Sequence, residues 1–261
     1  MSKIDSSSYF FTPRRTNPGY PLFVFLPGMD ETGKDLMRLQ TAGLENAFDV
    51  RCFVIPPDDL TSWDKLTEKV VALTQAELEK VPRPSVYLCG ESFGGCLALQ
   101  VALKAPQLFN RMILVNSASS FHRIPWLNLG SLLFTWVPDF FYQISSFTAL
   151  PFLAPLNRLS PAAFQALWSA VRSAPKKTAN QRLSLLREFM IDEKQLSQIT
   201  QPVLIIASLD DKLLPSVPEA QRLAKIFPHA QVVTLPHTGH ACLVEADVNL
   251  FEIIQAENFF G

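Results

Sequence analysis

A glycine-flanked serine is the first feature of the sequence that could do chemistry. The segment Gly90-Glu91-Ser92-Phe93-Gly94 follows an apolar run at residues 86–89, which predicts a strand, and precedes an apolar stretch at 96–104, which predicts a buried helix. A serine on a sharp strand-to-helix turn has a strained backbone and an exposed hydroxyl, and the turn needs the space that Gly90 and Gly94 leave. We therefore predict Ser92 as a nucleophile.

A serine hydroxyl is a weak nucleophile that needs a general base, and the base needs an acid to orient it. The chain has four histidines, and two of them, His237 and His240, lie in the loop after a predicted strand at 232–235. We favour His240 as the base, because it follows a glycine and precedes a predicted C-terminal helix. His237, three residues earlier, is the alternative.

The acid is expected in the loop at 208–215, which follows a predicted strand at 203–207. We prefer Asp211, which stands four residues before Pro215, and keep the adjacent Asp210 as the alternative. Either carboxylate could instead be an ordinary solvated turn residue. The chain order Ser92, Asp211, His240 resembles that of α/β hydrolases and differs from the orders in chymotrypsin and subtilisin.

Acyl transfer to a serine creates an oxyanion, which two aimed N–H donors would stabilise. The backbone N–H of Phe93, directly after the nucleophile, is predicted to be one donor. The N–H of Met29 is predicted to be the other, since it follows the first long strand and Gly28 lets the backbone approach closely. No cofactor and no metal is predicted, because the histidine pair lacks a third ligand.

Six short apolar runs predict the strands of one sheet, at residues 22–26, 50–55, 86–89, 112–115, 203–207 and 232–235. They are almost continuously hydrophobic, as strands are when helices cover both faces of a parallel sheet. An amphipathic helix is predicted up to residue 81, and the spacing of Ser216 and Glu219 predicts a capping box that opens another helix. The pattern predicts an α/β fold with a mostly parallel, doubly wound sheet.

The alternation of strand and helix fails in the middle of the chain, which defines the predicted domains. Residues 1–20 form an N-terminal lead-in, 21–116 and 201–261 a core, and 117–200 a helical cap inserted before the acid-bearing strand. Within the cap, residues 124–157 contain eight aromatic residues, four prolines and a single charge, so we expect short broken helices. The aromatic residues expected to bind substrate are Trp126, Phe134, Trp136, Phe140, Phe141 and Phe147.

Composition excludes several classes of protein. With 48% apolar residues, 18% charged residues and a net charge of −1, the chain is neither disordered nor a nucleic-acid binder. We expect no signal peptide, no transmembrane span and a cytoplasmic location, with four buried reduced cysteines. Peripheral contact of the cap with membranes or lipid bodies is a further expectation, aided by Lys176, Lys177 and Arg182 unless these form a solvated basic turn. Composition does not specify an oligomeric state.

Three segments, at residues 21–33, 48–59 and 87–106, resemble the phytyl ester synthase/diacylglycerol acyltransferase family of plastids and cyanobacteria. The resemblance runs from about residue 21 to the C terminus and concerns the hydrolase half of that family. The family's acyltransferase half carries an H-x-x-x-x-D motif that is absent here, where His240 is followed at that spacing by Glu245. The resemblance implies an α/β-hydrolase fold, a triad of Ser92, Asp211 and His240, and small-molecule substrates that are long-chain fatty acyl or phytyl esters.

Three functions follow from these expectations. The first is hydrolysis of long-chain or isoprenoid carboxylic esters through an acyl-serine intermediate. The second is acyl transfer by the same triad to an alcohol such as phytol, which differs only in the exclusion of water. The third is non-catalytic lipid binding, which the presence of all three triad residues disfavours.

Overall fold

A computed structural model of the chain describes residues 8–29, 33–134, 136, 138 and 150–260, apart from the side chain of Phe134. The strands of these residues form one sheet: β1 Tyr9–Phe11, β2 Leu22–Leu26, β3 Asp49–Val54, β4 Val86–Glu91, β5 Arg111–Val115, β6 Val203–Ser208 and β7 Ala230–Leu235. Their order is β1-β3-β2-β4-β5-β6-β7, and every neighbouring pair is parallel except β1 and β3. The predicted mostly parallel α/β sheet is thus confirmed.

The two faces of the sheet are buried in separate apolar layers. In β2, for example, Leu22, Val24 and Leu26 pack into one layer, while Phe23 and Phe25 pack into the other. Alternate side chains of a strand point to opposite faces, so a strand buried on both sides has no polar positions. This is why the inner strands are recognisable as continuous apolar runs.

The helices that flank the sheet begin and end as follows: α1 Lys34–Gln40, α2 Trp63–Lys80, α3 Phe93–Lys104, α4 Pro125–Phe134, α5 Pro161–Ser173, α6 Lys176–Glu188, α7 Glu193–Leu196, α8 Ser216–Ile226 and α9 Leu250–Ala256. α2, α3 and α8 pack on one face of the sheet, and α1 and α9 on the other. The predicted capping box at Ser216 is wrong. Ser216 is the first residue of α8, and its hydroxyl donates to Asp211 instead of accepting from the helix backbone.

Strand β1 lies in the segment that the sequence analysis assigned to a lead-in. It pairs antiparallel with β3, with Phe10 opposite Phe53 and their rings 6.2 Å apart in an edge-to-face contact. The strand has only three residues and is partly exposed. A run of three residues is too short to predict a strand from the sequence, and the pairing with β3 makes it one.

The described residues between β5 and β6 include helices that contact the loops at the carboxyl edge of the sheet. Arg182 of α6 is buried, and its guanidinium donates to the carbonyl of Met29 and, at 3.1 Å, to that of Pro56. These two carbonyls belong to the loops that leave the carboxyl ends of β2 and β3. Arg182 is therefore a buried anchor of the inserted segment, and the expectation that it contacts a membrane or solvent is wrong.

Helix α4 carries its polar side chains inward and exposes most of its apolar ones, although Leu127 packs against the core. Asn128 donates to the carbonyl of His122 at 2.8 Å, and Ser131 accepts from Arg187 at 3.1 Å, whereas Trp126, Leu129 and Leu133 are exposed. Among the described residues, no helix has the length and apolar character needed to cross a membrane.

Candidate active site

Ser92 occupies the turn between β4 and α3 in a strained conformation. Its φ is 51°, in the left-handed region that side-chain-bearing residues rarely adopt, and its N–H donates to the carbonyl of Val115 at 2.9 Å. A Cβ atom at Gly90 would collide with the carbonyl of Gly94, and one at Gly94 with the carbonyl of Leu26. The turn therefore requires both glycines of the sequence motif.

The structure brings His240 and Asp211 to Ser92 in a single line of hydrogen bonds. The Nε2 atom of His240 lies 2.8 Å from the hydroxyl of Ser92, and its Nδ1 atom lies 2.8 Å from Oδ2 of Asp211. A carboxylate only accepts, so Nδ1 carries the proton and donates to Asp211. This tautomer leaves the Nε2 lone pair facing the Ser92 hydroxyl, as a general base requires.

Asp211 is held as a carboxylate by the turn that follows it. One carboxylate oxygen accepts from the N–H groups of Leu213 and Leu214 at 2.8 and 2.9 Å, and the other accepts from Ser216 and His240. Burial by itself would raise the pKa of Asp211, but the hydrogen bonds from His240, Ser216 and the backbone outweigh burial and lower it. Asp211 can therefore stay ionised while its side chain is only 1% exposed.

The two alternatives from the sequence, Asp210 and His237, face away from Ser92. His237 is 83% exposed at its side chain, and its Nδ1 atom lies 3.8 Å from Asp210. Both residues line a polar cleft of about 530 Å³, together with Lys212 and Arg158. Neither residue has a contact with the Ser92 hydroxyl among the described hydrogen bonds.

The loop that carries His240 is attached on both sides to the inserted segment. The N–H of Gly239 donates at 2.7 Å to Glu245, whose other oxygen accepts from Arg158 at 2.6 Å. On the other side, the N–H of Ala241 donates to the carbonyl of Leu153 at 2.8 Å. In the sequence, Glu245 drew attention only as a departure from an acyltransferase motif, and its role in the loop was missed.

The two predicted oxyanion donors are close to Ser92. Phe93 is the first residue of α3, so its N–H has no acceptor within the helix. Met29 and Gly28 line the same cavity as Ser92, and the hydrogen bond from Arg182 to the Met29 carbonyl holds this loop. This arrangement can place two backbone donors beside the nucleophile.

An apolar cavity of about 150 Å³ opens onto the Ser92 hydroxyl and His240. α5 and α6 of the inserted segment form much of its wall, and the rest comes from Leu153, the turn at Ser92 and the loops after β2, β5, β6 and β7. Its aliphatic and aromatic lining consists of Ala118, Phe121, Leu153, Leu167, Ala170, Val171, Leu183, Leu186, Leu213, Leu214 and Ala241. The cavity can therefore accept an apolar group bonded to a carbonyl at Ser92.

The aromatic residues predicted to bind substrate do not form the described wall of this cavity. Trp126 of α4 is 71% exposed, because the polar side of this helix is hydrogen-bonded inward, and Trp136, beyond the end of α4, is 84% exposed. The side chain of Phe134 and the whole of Phe140, Phe141 and Phe147 lie outside the described residues. The described lining is mainly aliphatic, which composition could not indicate.

Comparison with known proteins places this site in a family. Residues 56–247 match the family model of the alpha/beta hydrolase fold. The chain is 33% identical over 258 residues to phytyl ester synthase 1, chloroplastic, of Arabidopsis thaliana; the match covers 90% of the chain and 36% of that relative, so the chain spans little more than a third of its length. It is 29% identical over 191 residues to a pimeloyl-[acyl-carrier protein] methyl ester esterase of Nitrosomonas europaea, covering 70% and 71% of the two chains.

Among solved structures, an N-acyl homoserine lactone degrading enzyme superposes with a TM-score of 0.75 and 19% identity, over 97% of this chain and 96% of the other. At that identity the likeness concerns the fold alone. Together with the family model, the nucleophile turn and the parallel sheet lead to one conclusion: the chain belongs to the α/β hydrolase family.

Proposed function

We propose that this protein is a serine esterase that hydrolyses apolar carboxylic esters. The observation that carries the proposal is the line of 2.8 Å contacts from Asp211 through His240 to Ser92, at the wall of an apolar cavity. Membership of a hydrolase family and similarity to a methyl ester esterase support the reaction class.

The reaction follows from the positions of these groups. The Ser92 oxygen attacks the ester carbonyl carbon while its proton moves to Nε2 of His240, and the N–H groups of Met29 and Phe93 stabilise the oxyanion. The bond to the alcohol then breaks, and the His240 proton passes to the departing oxygen, leaving an acyl-serine. His240 next takes a proton from water, whose oxygen attacks the acyl carbon. The bond to the Ser92 oxygen then breaks, and the His240 proton returns to that oxygen, which releases the acid and restores the Ser92 hydroxyl.

The cavity supports an apolar acyl group as the part of the substrate bound beside Ser92. Apolar protein cavities of about 150 Å³ can bind benzene. The cavity beside Ser92 has about the same volume and therefore has room for about six carbons. A fatty acyl chain of greater length, as expected from the resemblance to phytyl ester synthases, must continue beyond this wall. Long-chain and phytyl esters are therefore candidate substrates whose distal part lies outside the described cavity.

A second candidate function is acyl transfer to an alcohol. The 33% identity with a phytyl ester synthase favours it, although the chain covers 36% of that relative. The chemistry is the same up to the acyl-serine, after which His240 deprotonates phytol or another apolar alcohol in place of water. The product is then a new ester, and Ser92 is released as before.

Helix α4 supports a further part of the proposal, namely contact with a lipid surface that supplies apolar esters. Its exposed side chains include those of Trp126, Leu129 and Leu133, and it begins four residues after Phe121 of the cavity wall. Sedimentation with phosphatidylcholine vesicles tests this contact. Wild type should sediment, Trp126→Ser combined with Leu129→Ser should sediment less, and Tyr20→Ser, at the opposite edge of the sheet, should match wild type. Wild type that stays in the supernatant contradicts the contact.

Labelling with a fluorophosphonate probe tests the esterase. Wild type should be labelled and Ser92→Ala should not, while Ser197→Ala, which changes an exposed serine elsewhere, should be labelled like wild type. Equal labelling of wild type and Ser92→Ala would reject both enzymatic functions and leave lipid binding. If labelling depends on Ser92, phytol added during turnover distinguishes hydrolysis from acyl transfer. Formation of phytyl ester indicates transfer, and formation of free acid alone indicates hydrolysis.

A further inference from the structure

Asn116 directly follows β5, and the mechanism above does not use it. Its side chain is 1% exposed and its φ is 42°, a left-handed conformation that asparagine tolerates better than most residues. Its backbone N–H donates to the carbonyl of Ile206 on β6 at 2.9 Å. The residue is therefore held at the carboxyl edge of the sheet, between the strands that carry the nucleophile and the base.

The side-chain amide of Asn116 binds the end of the acid-bearing strand. Its oxygen accepts from the N–H of Ser208 at 2.8 Å, and its nitrogen donates to the Ser208 hydroxyl at 2.9 Å. Ser208 is the last residue of β6, three positions before Asp211. Asn116 thereby fixes the start of the acid loop.

The same amide nitrogen also donates to the backbone carbonyl of His240 at 2.7 Å. The residues next to Asn116 bind the nucleophile: the Val115 carbonyl accepts from Ser92, and the N–H of Ala118 donates to the Ser92 carbonyl at 3.1 Å. Residues 115–118 therefore form hydrogen bonds with the turn at Ser92, with the start of the Asp211 loop and with the loop of His240.

The order of the strands explains why such a link is needed. His240 follows β7, while Ser92 follows β4, and β5 and β6 lie between them. At about 4.8 Å between neighbouring strands, the ends of β4 and β7 are about 14 Å apart, so these two strands share no direct ladder. Asn116, directly after the strand beside β4, bridges this distance by its bond to the His240 carbonyl.

We propose that Asn116 is a positioning residue that holds the main chain of His240 in register with Ser92 and Asp211. The proposal rests on the esterase function given above. Asn116 touches no reacting atom, so its loss should slow proton transfer from Ser92 without weakening binding in the apolar cavity. A displacement of the imidazole by about 1 Å is enough to lower the rate of reaction about 100-fold.

The variant Asn116→Gly tests this, because glycine adopts the same φ without strain and removes only the side chain. Fluorophosphonate labelling of the full chain gives both the affinity, KI, and the rate constant, kinact. We expect kinact to fall about 10- to 100-fold with KI unchanged. The matched control is Asn258→Gly, which changes an exposed asparagine of similar φ, 51°, outside the site, and should label like wild type.

An unchanged kinact in folded Asn116→Gly overturns the proposal, and so does a change confined to KI. If that variant does not fold, Asn116→Asp at pH 9 replaces it. It keeps the size of the side chain and the acceptor for Ser208, but its ionised carboxylate cannot donate to the His240 carbonyl. Labelling of this variant at the wild-type kinact would also overturn the proposal. Failure of the esterase function is distinct, because wild type itself would then not be labelled through Ser92.

Discussion

Ala170 lies on α5 in the wall of the cavity beside Ser92, and its replacement by leucine should shorten the acyl chains that the enzyme prefers. Leucine adds three carbons to a cavity whose capacity is about six. In wild type, each CH₂ of the acyl group buried there contributes about 0.8 kcal/mol, a factor of about 4 in kcat/KM. Four such groups separate acetyl from hexanoyl esters, so their kcat/KM ratio should be about 250.

In Ala170→Leu the three added carbons of leucine occupy the space of the last three carbons of the hexanoyl group. The ratio of kcat/KM for hexanoyl over acetyl esters should therefore fall about 60-fold. The assay is hydrolysis of a p-nitrophenyl ester series from acetyl to palmitoyl. Overpacking costs about 1–3 kcal/mol of folding stability, but the ratio is measured within one preparation and does not depend on the folded fraction. Ala256→Leu, which adds the same side chain at an exposed position of α9, is the control and should keep the wild-type ratio.

Two results would refute this reasoning. An unchanged hexanoyl-to-acetyl ratio in Ala170→Leu would mean that the acyl group does not occupy this cavity. A wild-type kcat/KM that keeps rising by the same factor for every CH₂ up to palmitoyl would mean that the six-carbon capacity is wrong. In wild type we instead expect a smaller gain per CH₂ beyond hexanoyl.

Three other predictions concern stability and reactivity. Arg158→Met leaves the buried Glu245 carboxylate without its cation and should lower the free energy of unfolding by about 3 kcal/mol, measured with urea; an unchanged midpoint contradicts this. Burial raises the pKa of Cys52 to about 12, and the other three cysteines are also buried, so a disulfide reagent at pH 8 should label none in the folded protein and all four after unfolding. Burial opposes ionisation of Asp49, but hydrogen bonds from Arg51 and Asn17 and the charge of Arg83 lower its pKa. Its folded pKa is thus below the unfolded value of about 3.9, so the stabilisation is fully present above the unfolded pKa and is lost as the pH falls through the folded pKa. Asp49→Asn should therefore flatten the loss of thermal stability below about pH 4, and an equally steep loss would reject this contribution.

Local steric rules explain why some features could be predicted from the sequence. Gly90 needs space for the carbonyl of Gly94 within the same turn, and Gly94 needs space for the carbonyl of Leu26 on β2, so the spacing of the two glycines reveals the turn at Ser92. The inner strands are buried on both faces, so their apolar runs are continuous. β1 has neither property, since three partly exposed residues become a strand only through pairing with β3.

Competition between partners explains where prediction from the sequence failed. Ser216 has the spacing of a capping residue, but Pro215 occupies the N-cap position, Ser216 is already the first residue of α8, and its hydroxyl donates to the Asp211 carboxylate. Arg182 follows two lysines at the start of a helix and resembles a surface cation. Its guanidinium is instead buried, and it donates to the carbonyls of Pro56 and Met29, which are 126 and 153 residues away in the chain. In both cases the deciding partner is absent from the local pattern.

The sequence by itself determined the chemical class of the candidate site, because the residue types Ser, Asp and His and their chain order follow from local motifs at strand ends. Tertiary structure decided which histidine meets Ser92 and which aspartate meets that histidine, since neighbours such as Asp210 and Asp211 differ only in the direction of their side chains. It also decided the supporting contacts of Asn116, Glu245 and Arg182. Hydrogen bonds such as that from Asn116 to His240 join residues 124 positions apart, and no spacing along the chain encodes a contact that the sheet creates by folding.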